Sequence, residues 1–203
     1  MTTMTDAPTP GRRERKKAAT RQAIADAALE LFVAHSYDDV TVRDIAEKAD
    51  VSTTTLFKHF SGKEALVFDR EDDVRTELAL AVRERSRGQS VLDALRTHAL
   101  TYWVAIATDP QLEQLETLIA ATPALREYEE RMWARQAVAL GAVIAEETGR
   151  DSDDLACAAL ARFVLDIPTL AAGRDDPRAA VEELFDLLMN GWRRREQNEP
   201  APG

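Results

Sequence analysis

Apolar positions recur at three- and four-residue spacing along most of this 203-residue chain, which is the period of a helix. The first run is "AATRQAIADAALELFVAH", where Ile24, Ala28, Leu31 and Phe32 form one stripe before Tyr37-Asp38-Asp39 breaks the rhythm. Thr41 then reads as the N-cap of "VRDIAEKA", with Asp44 three residues on as its reciprocal partner and Ile45, Ala46 and Ala49 inward. Asp50-Val51-Ser52 forms a three-residue turn, and Ser52 caps a short helix over 53–59 with Leu56 and Phe60 on one side. Ser61 and Glu64 repeat the capping pattern, which predicts a long helix running to about Arg87.

Later helix starts are marked by a capping residue followed by proline: Asp109-Pro110, Thr122-Pro123 and Asp176-Pro177. Gly88, Gly149 and Gly173 stand where helices should stop. Between these marks lie helices over about 90–107 and 153–171. The pattern predicts nine helices and no strand, an all-α fold.

Composition changes this picture little, but charge divides it. The net charge is −10, yet residues 1–63 carry 10 basic and 9 acidic side chains, so the acidity belongs to residues 64–203. Residues 12–21, "RRERKKAATR", hold six basic side chains against one acid. A basic arm before an acidic body indicates a division of labour. The single cysteine, Cys157, excludes an internal disulfide and a cysteine-rich zinc site, and points to a reducing, cytoplasmic setting. The first residues lack the apolar centre of a signal peptide. The most apolar stretch, 155–173, contains Arg162, Asp166 and Pro168, which argues for a buried helix and against a membrane partner.

Two helices at 42–49 and 53–59 joined by a three-residue turn have helix-turn-helix dimensions. Ala46 is small enough for a close crossing, Val51 plugs the turn, and Leu56 with Phe60 anchors the second helix. Thr54 and Lys58 lie opposite Leu56, with Thr55 and Phe57 on the flanks. Threonine offers a hydroxyl and a methyl to a base edge, and lysine reaches guanine or phosphate, so this face suits a DNA major groove.

The run "TVRDIAEKADVSTTTLFKHFSGKEAL" (41–66) resembles the DNA-binding signature of the TetR family of bacterial repressors. The agreement lies in Thr41, Ile45-Ala46, Ala49, Val51-Ser52, Thr55-Leu56, His59-Phe60, Lys63 and Leu66, with "A..LF" at 28–32 before it. The resemblance implies a nine-helix architecture: a helix-turn-helix domain over 12–62 and a ligand-binding and dimerisation domain over 63–195, between disordered tails at 1–11 and 196–203. It implies that Arg43 reads a base and that Thr53, Thr54 and Thr55 meet bases and nearby phosphates. Thr41 and Ser52 are helix caps that could also meet phosphate. His59 and Lys63 are expected to grip the backbone. Phe57 stands where the family usually has a tyrosine, so the phosphate bond of that hydroxyl is lost and Lys58 is expected to take over part of it.

One such unit covers half an operator. A homodimer on a (pseudo)palindromic double-stranded DNA is therefore expected, its reading helices about 34–36 Å apart. The apolar stripe Val181, Leu184, Phe185, Leu188 and Trp192 is the candidate dimer face, with Leu160 and Val164 from the helix before it. The resemblance further implies a small-molecule effector held among the middle helices. Candidates are Tyr102, Trp103 and Ile106 on one helix, Leu115 and Ile119 on the next, and Tyr128, Met132, Trp133 and Gln136 on the third. Phe163 and Asp166 could contribute from the penultimate helix, and His98 is a candidate polar contact. Each reads more readily as core, and the aromatic mixture fits an apolar or amphipathic molecule. Release from DNA is expected to follow a shift of the long helix starting at Lys63.

Catalysis is not expected: the three histidines, His35, His59 and His98, fall in different helices, and no phosphate-cradling loop or nucleophile elbow is present. No cofactor or metal is implied. The competing class is a helical adaptor that binds protein without touching DNA, which leaves the basic arm and the threonine-rich helix unexplained.

Overall fold

The computed structural model describes residues 11–69, 71–106 and 110–191, with the side chains of 71–74, 103–106 and 110–113 outside that description. Among the described residues there are nine α-helices and no strand: α1 (Arg12–His35), α2 (Val42–Lys48), α3 (Thr53–His59), α4 (Glu71–Arg83), α5 (Val91–Ile106), α6 (Pro110–Ala121), α7 (Pro123–Thr148), α8 (Leu155–Ala171) and α9 (Pro177–Asn190). No helix among them is long and apolar enough to cross a membrane.

Local chemistry sets most of these limits. Thr41 Oγ1 accepts from the Asp44 amide at 3.2 Å while the Asp44 carboxylate accepts from the Thr41 amide at 2.9 Å, closing the capping box of α2. Ser52 caps α3, accepting from the Thr55 amide at 3.1 Å. Asp154 and Asp176 cap α8 and α9, each accepting a backbone amide at 2.9 Å. Gly149 and Gly173 follow α7 and α8 with φ of +65° and +70°, a conformation that costs a residue without Cβ little.

The chain divides into two compact units. The first runs to Asp69 and includes Gln114–Leu125; the second comprises Arg70–Glu113 and Arg126 onward. In the first, Ile24, Ala28 and Phe32 of α1 are buried together with Ile45 and Ala46 of α2, Leu56 of α3, and Phe60. Lys48 pairs with Glu30 at 2.8 Å across α1 and α2.

The long helix expected from Ser61 is not formed. Glu64–Leu66 is a single 3-10 turn, and α4 begins only at Glu71. Ala65, Leu66 and Val67 in and after this turn are all buried.

The second unit is built around Leu78 and Val82 of α4, Leu95 and Ala99 of α5, Ile144 of α7, Val164 and Leu165 of α8, and Val181 and Phe185 of α9. Gly141 of α7 faces α8, where a Cβ would lie 3.4 Å from the Ala158 Cα, at van der Waals contact. This packing corrects part of the expected dimer face. Val164, Val181 and Phe185 are 0%, 2% and 0% exposed within the single chain, so no partner can reach them. Leu160, Leu184 and Leu188 are half-buried against the same core, and Trp192 lies outside the described residues.

Candidate nucleic-acid interface

The reading head is assembled from both ends of α3. Leu56 and Phe60 are sunk in the unit's core, which turns the opposite face of the helix outward. Thr53, Thr54, Phe57 and Lys58 are exposed there, and Arg43 is exposed on α2. Phe57 is 54% exposed. These five residues are the exposed side chains of the candidate reading face.

The hydroxyls expected to help are largely occupied. Thr41 Oγ1 donates its one proton to the Asp44 carboxylate at 2.6 Å, leaving none for a phosphate oxygen. This bond, with the amide bond beside it, holds the Asp44 carboxyl below the usual carboxylate range. Ser52 and Thr55 share a hydroxyl–hydroxyl bond of 2.9 Å, so the two have one proton between them to give elsewhere.

Lys63 also differs from expectation. Its ammonium donates to the Tyr37 carbonyl and lies 4.0 Å from the Tyr37 ring centroid and 5.6 Å from that of Phe32. Burial lowers its pKa, while Asp38, Glu64 and Asp39 pull the other way. It fastens the 3-10 turn to the loop after α1, and its charge is turned inward. His59 is half-buried, and its Nδ1 is enclosed with no hydrogen-bond partner among the described residues. Burial, then the charges of Lys17 and Arg21, lowers its pKa, so it stands neutral near pH 7 and offers phosphate no full charge.

Arg21 is the residue that the sequence did not single out beyond its place in the basic arm. Its Nη1 donates to the His59 carbonyl at 2.7 Å, and its Nη2 donates to the Asp69 carbonyl at 2.6 Å. The guanidinium lies 4.3 Å from the Phe60 ring centroid. The basic residues before it, from Arg12 to Lys17, are all exposed on the first turns of α1.

The candidate effector residues are divided between the two units. Leu115 and Ile119 belong to the first unit and are half-buried. His98 and Tyr102, their rings stacked at 5.4 Å, line a groove of about 490 Å³ between α4 and α5. Gln136 borders a separate cavity of about 280 Å³ between α4 and α7, also lined by Leu78 and Val143. Met132 is core, Trp133 packs against the core, and Tyr128 lies under the Arg135 guanidinium at 5.6 Å. Phe163, 58% exposed, and Asp166, paired with Arg162 at 3.3 Å, line neither the groove nor the cavity. The side chains of Trp103 and Ile106 lie outside the described residues.

A capped helix pair on a basic-armed unit, with a polar and aromatic face left exposed, defines a helix-turn-helix DNA-binding protein. A family model described as "Bacterial regulatory proteins, tetR family" matches residues 24–69. The chain is 30% identical over 198 residues to the putative mycofactocin biosynthesis transcriptional regulator MftR of Mycobacterium tuberculosis, covering 90% of this chain and 96% of that one. It is 31% identical over 153 residues to the HTH-type transcriptional regulator TcmR of Streptomyces glaucescens, covering 71% and 67%. Among solved structures, NalD, a repressor of a multidrug efflux pump in Pseudomonas aeruginosa, superposes with a TM-score of 0.56 at 22% identity over 87% of this chain and 96% of that one. FadR of Bacillus subtilis, solved with stearoyl-CoA, does so with 0.57 at 18% over 84% and 98%. The chain belongs to the TetR family, and it is a DNA-binding transcriptional regulator.

Proposed function

We propose that this regulator is a homodimeric repressor that reads a palindromic operator and is released from it by a small amphipathic molecule. The observation that carries the DNA reading is the exposed face of α3, with Thr53, Thr54, Phe57 and Lys58 beside Arg43 of α2. Arg43 reads a base edge, Thr53 and Thr54 supply a hydroxyl and a methyl each, and Lys58 meets guanine or phosphate. The exposed basic side chains at the start of α1 add phosphate contacts that carry affinity and not sequence.

The partner face is the outer side of α8 and the adjoining part of α7. Leu155, Phe163 and Leu170 are 82%, 58% and 53% exposed, and Val138 on α7 is 76% exposed. Such a run of exposed apolar side chains is expected to be covered by a second copy. The effector lies in the second unit, in the groove bordered by His98 and Tyr102 or in the cavity beside Gln136. The larger of these falls within the usual range of ligand sites, about 300–1,000 Å³.

Selection of bound duplexes from a random library, followed by gel shift over a salt series, tests the reading. A repeated inverted motif bound with steep salt dependence supports it. A chain that enriches no sequence is not an operator-reading repressor.

A further inference from the structure

The recognition helix is only seven residues long, too short to hold its own shape in water. Its start is fixed by Ser52 and its inner side by Leu56 and Phe60. Its last carbonyls have no partner within the helix, and one of them, that of His59, accepts from Arg21 at 2.7 Å. A cation at this end also suits the helix dipole. The same guanidinium donates at 2.6 Å to the carbonyl of Asp69, the residue at which the chain leaves the first unit. It lies against the Phe60 ring, and Phe60 is itself 3% exposed, so the plane of the fork is set by the core.

We infer that Arg21 is a positioning residue for operator recognition: it ties the end of the recognition helix to the chain's exit at Asp69, so that a displacement at Asp69 is delivered to α3. This rests on the operator-reading function proposed above. A planar fork with two donors in fixed geometry holds two carbonyl oxygens at one spacing, which a point charge on a flexible stem does not. If the carbonyl of Asp69 moves, either the fork breaks or His59 moves with it. Arg21 therefore differs from the basic residues before it, Arg12 to Lys17, which are exposed on the first turns of α1.

The substitution Arg21→Lys separates the two roles, because it keeps the charge and removes the fork. The full chain is measured by fluorescence anisotropy on the duplex selected by the wild type and on a scrambled duplex, over a salt series. Arg21→Lys is expected to lose about tenfold or more on the selected duplex, while its affinity for the scrambled duplex and its salt slope stay at wild-type values. Hydrogen exchange at the amide of Phe60, which donates to the Leu56 carbonyl, is expected to speed up. Wild-type affinity of Arg21→Lys for the selected duplex overturns the proposal. So does an Arg21→Gln variant that loses specific and non-specific binding equally with a shallower salt slope, the mark of a phosphate contact. If Arg21→Lys does not fold, Phe60→Leu, which removes the ring beneath the fork, is judged by the same ratio of specific to non-specific affinity. A wild type that selects no duplex refutes the operator reading instead.

Discussion

The ammonium of Lys63 sits over the ring of Tyr37, 4.0 Å from its centroid, and donates to the carbonyl of that same residue. A lysine at a helix-turn-helix boundary thus works as a structural tie. Lys58, five residues earlier, is exposed on the reading face. The two lysines should separate cleanly. Lys63→Met keeps the apolar stem and removes the charge; it is expected to destabilise the protein by about 1–2 kcal/mol in urea titration while leaving the salt slope of DNA binding intact. Lys58→Met should leave the unfolding midpoint unchanged and reduce the salt slope by about 1 if Lys58 holds a phosphate. A Lys63→Met protein of full stability with a shallower slope reverses the assignment.

Arg43 is exposed at the second position of α2. Its truncation to alanine should cost about 1–3 kcal/mol on the selected operator and relax the preference at one base pair of each half-site. Binding to a scrambled duplex should fall much less. The check is competition of every single-base operator variant against both proteins.

How much of this was legible in the sequence depends on how local the cause is. Thr41 with Asp44, Ser52 before α3, and Asp176 before Pro177 all cap as the residues predict, because each cap is decided within three or four residues. The stripe of α9 was legible as a stripe, but periodicity names the buried face and not the neighbour that buries it. Val181 and Phe185 face their own chain, while exposed apolar side chains lie on α8, whose apolar circumference hid which side was outward. Lys63 and Arg21 are decided by partners 26 and 38 residues away in the chain, a distance over which spacing carries no signal.

The turn between α2 and α3 offers a test of backbone strain. Asp50 has a φ of +52°, the left-handed region that a residue with a Cβ enters at a cost. The Val51 amide donates back to the Ala46 carbonyl at 2.9 Å, so the turn closes α2 and holds Asp50 there. Asp50→Gly should therefore raise the unfolding free energy by about 0.5–1 kcal/mol, and Asp50→Val should lower it by more than that. Thermal melts of the two variants against the wild type decide the sign.

Acid should weaken the fold through its enclosed imidazoles. Burial lowers the pKa of both His59 and His98 in the folded chain; around His59 the charges of Lys17 and Arg21 act the same way, and near His98 the Glu77 carboxylate opposes. A histidine whose folded pKa lies below its unfolded value of about 6.5 leaves stability untouched above that pH. As pH falls below it, the unfolded chain takes up protons that the folded chain refuses, so stability drops until the folded pKa is passed. Urea midpoints measured from about pH 7.5 to about pH 5 should decline, and His59→Asn should flatten part of that decline. An unchanged slope in His59→Asn removes His59 from the account.

The two phenylalanines of α8 and α9 give the last contrast. Phe163 is 58% exposed on α8, whereas Phe185 is fully buried on α9 among the core residues of the second unit. If the outer face of α8 is the partner face, Phe163→Glu buries a charge where two copies should meet, and the dimer should dissociate. The isolated chain should keep its helical signal, because Phe163 contributes little to its own core. Phe185→Ala should instead cost about 3–5 kcal/mol by opening a cavity, and its effect on association should follow only from that lost stability. Sedimentation of both variants over a concentration series, read beside their far-ultraviolet dichroism, distinguishes the cases. A Phe163→Glu protein that remains a dimer moves the interface elsewhere on the chain.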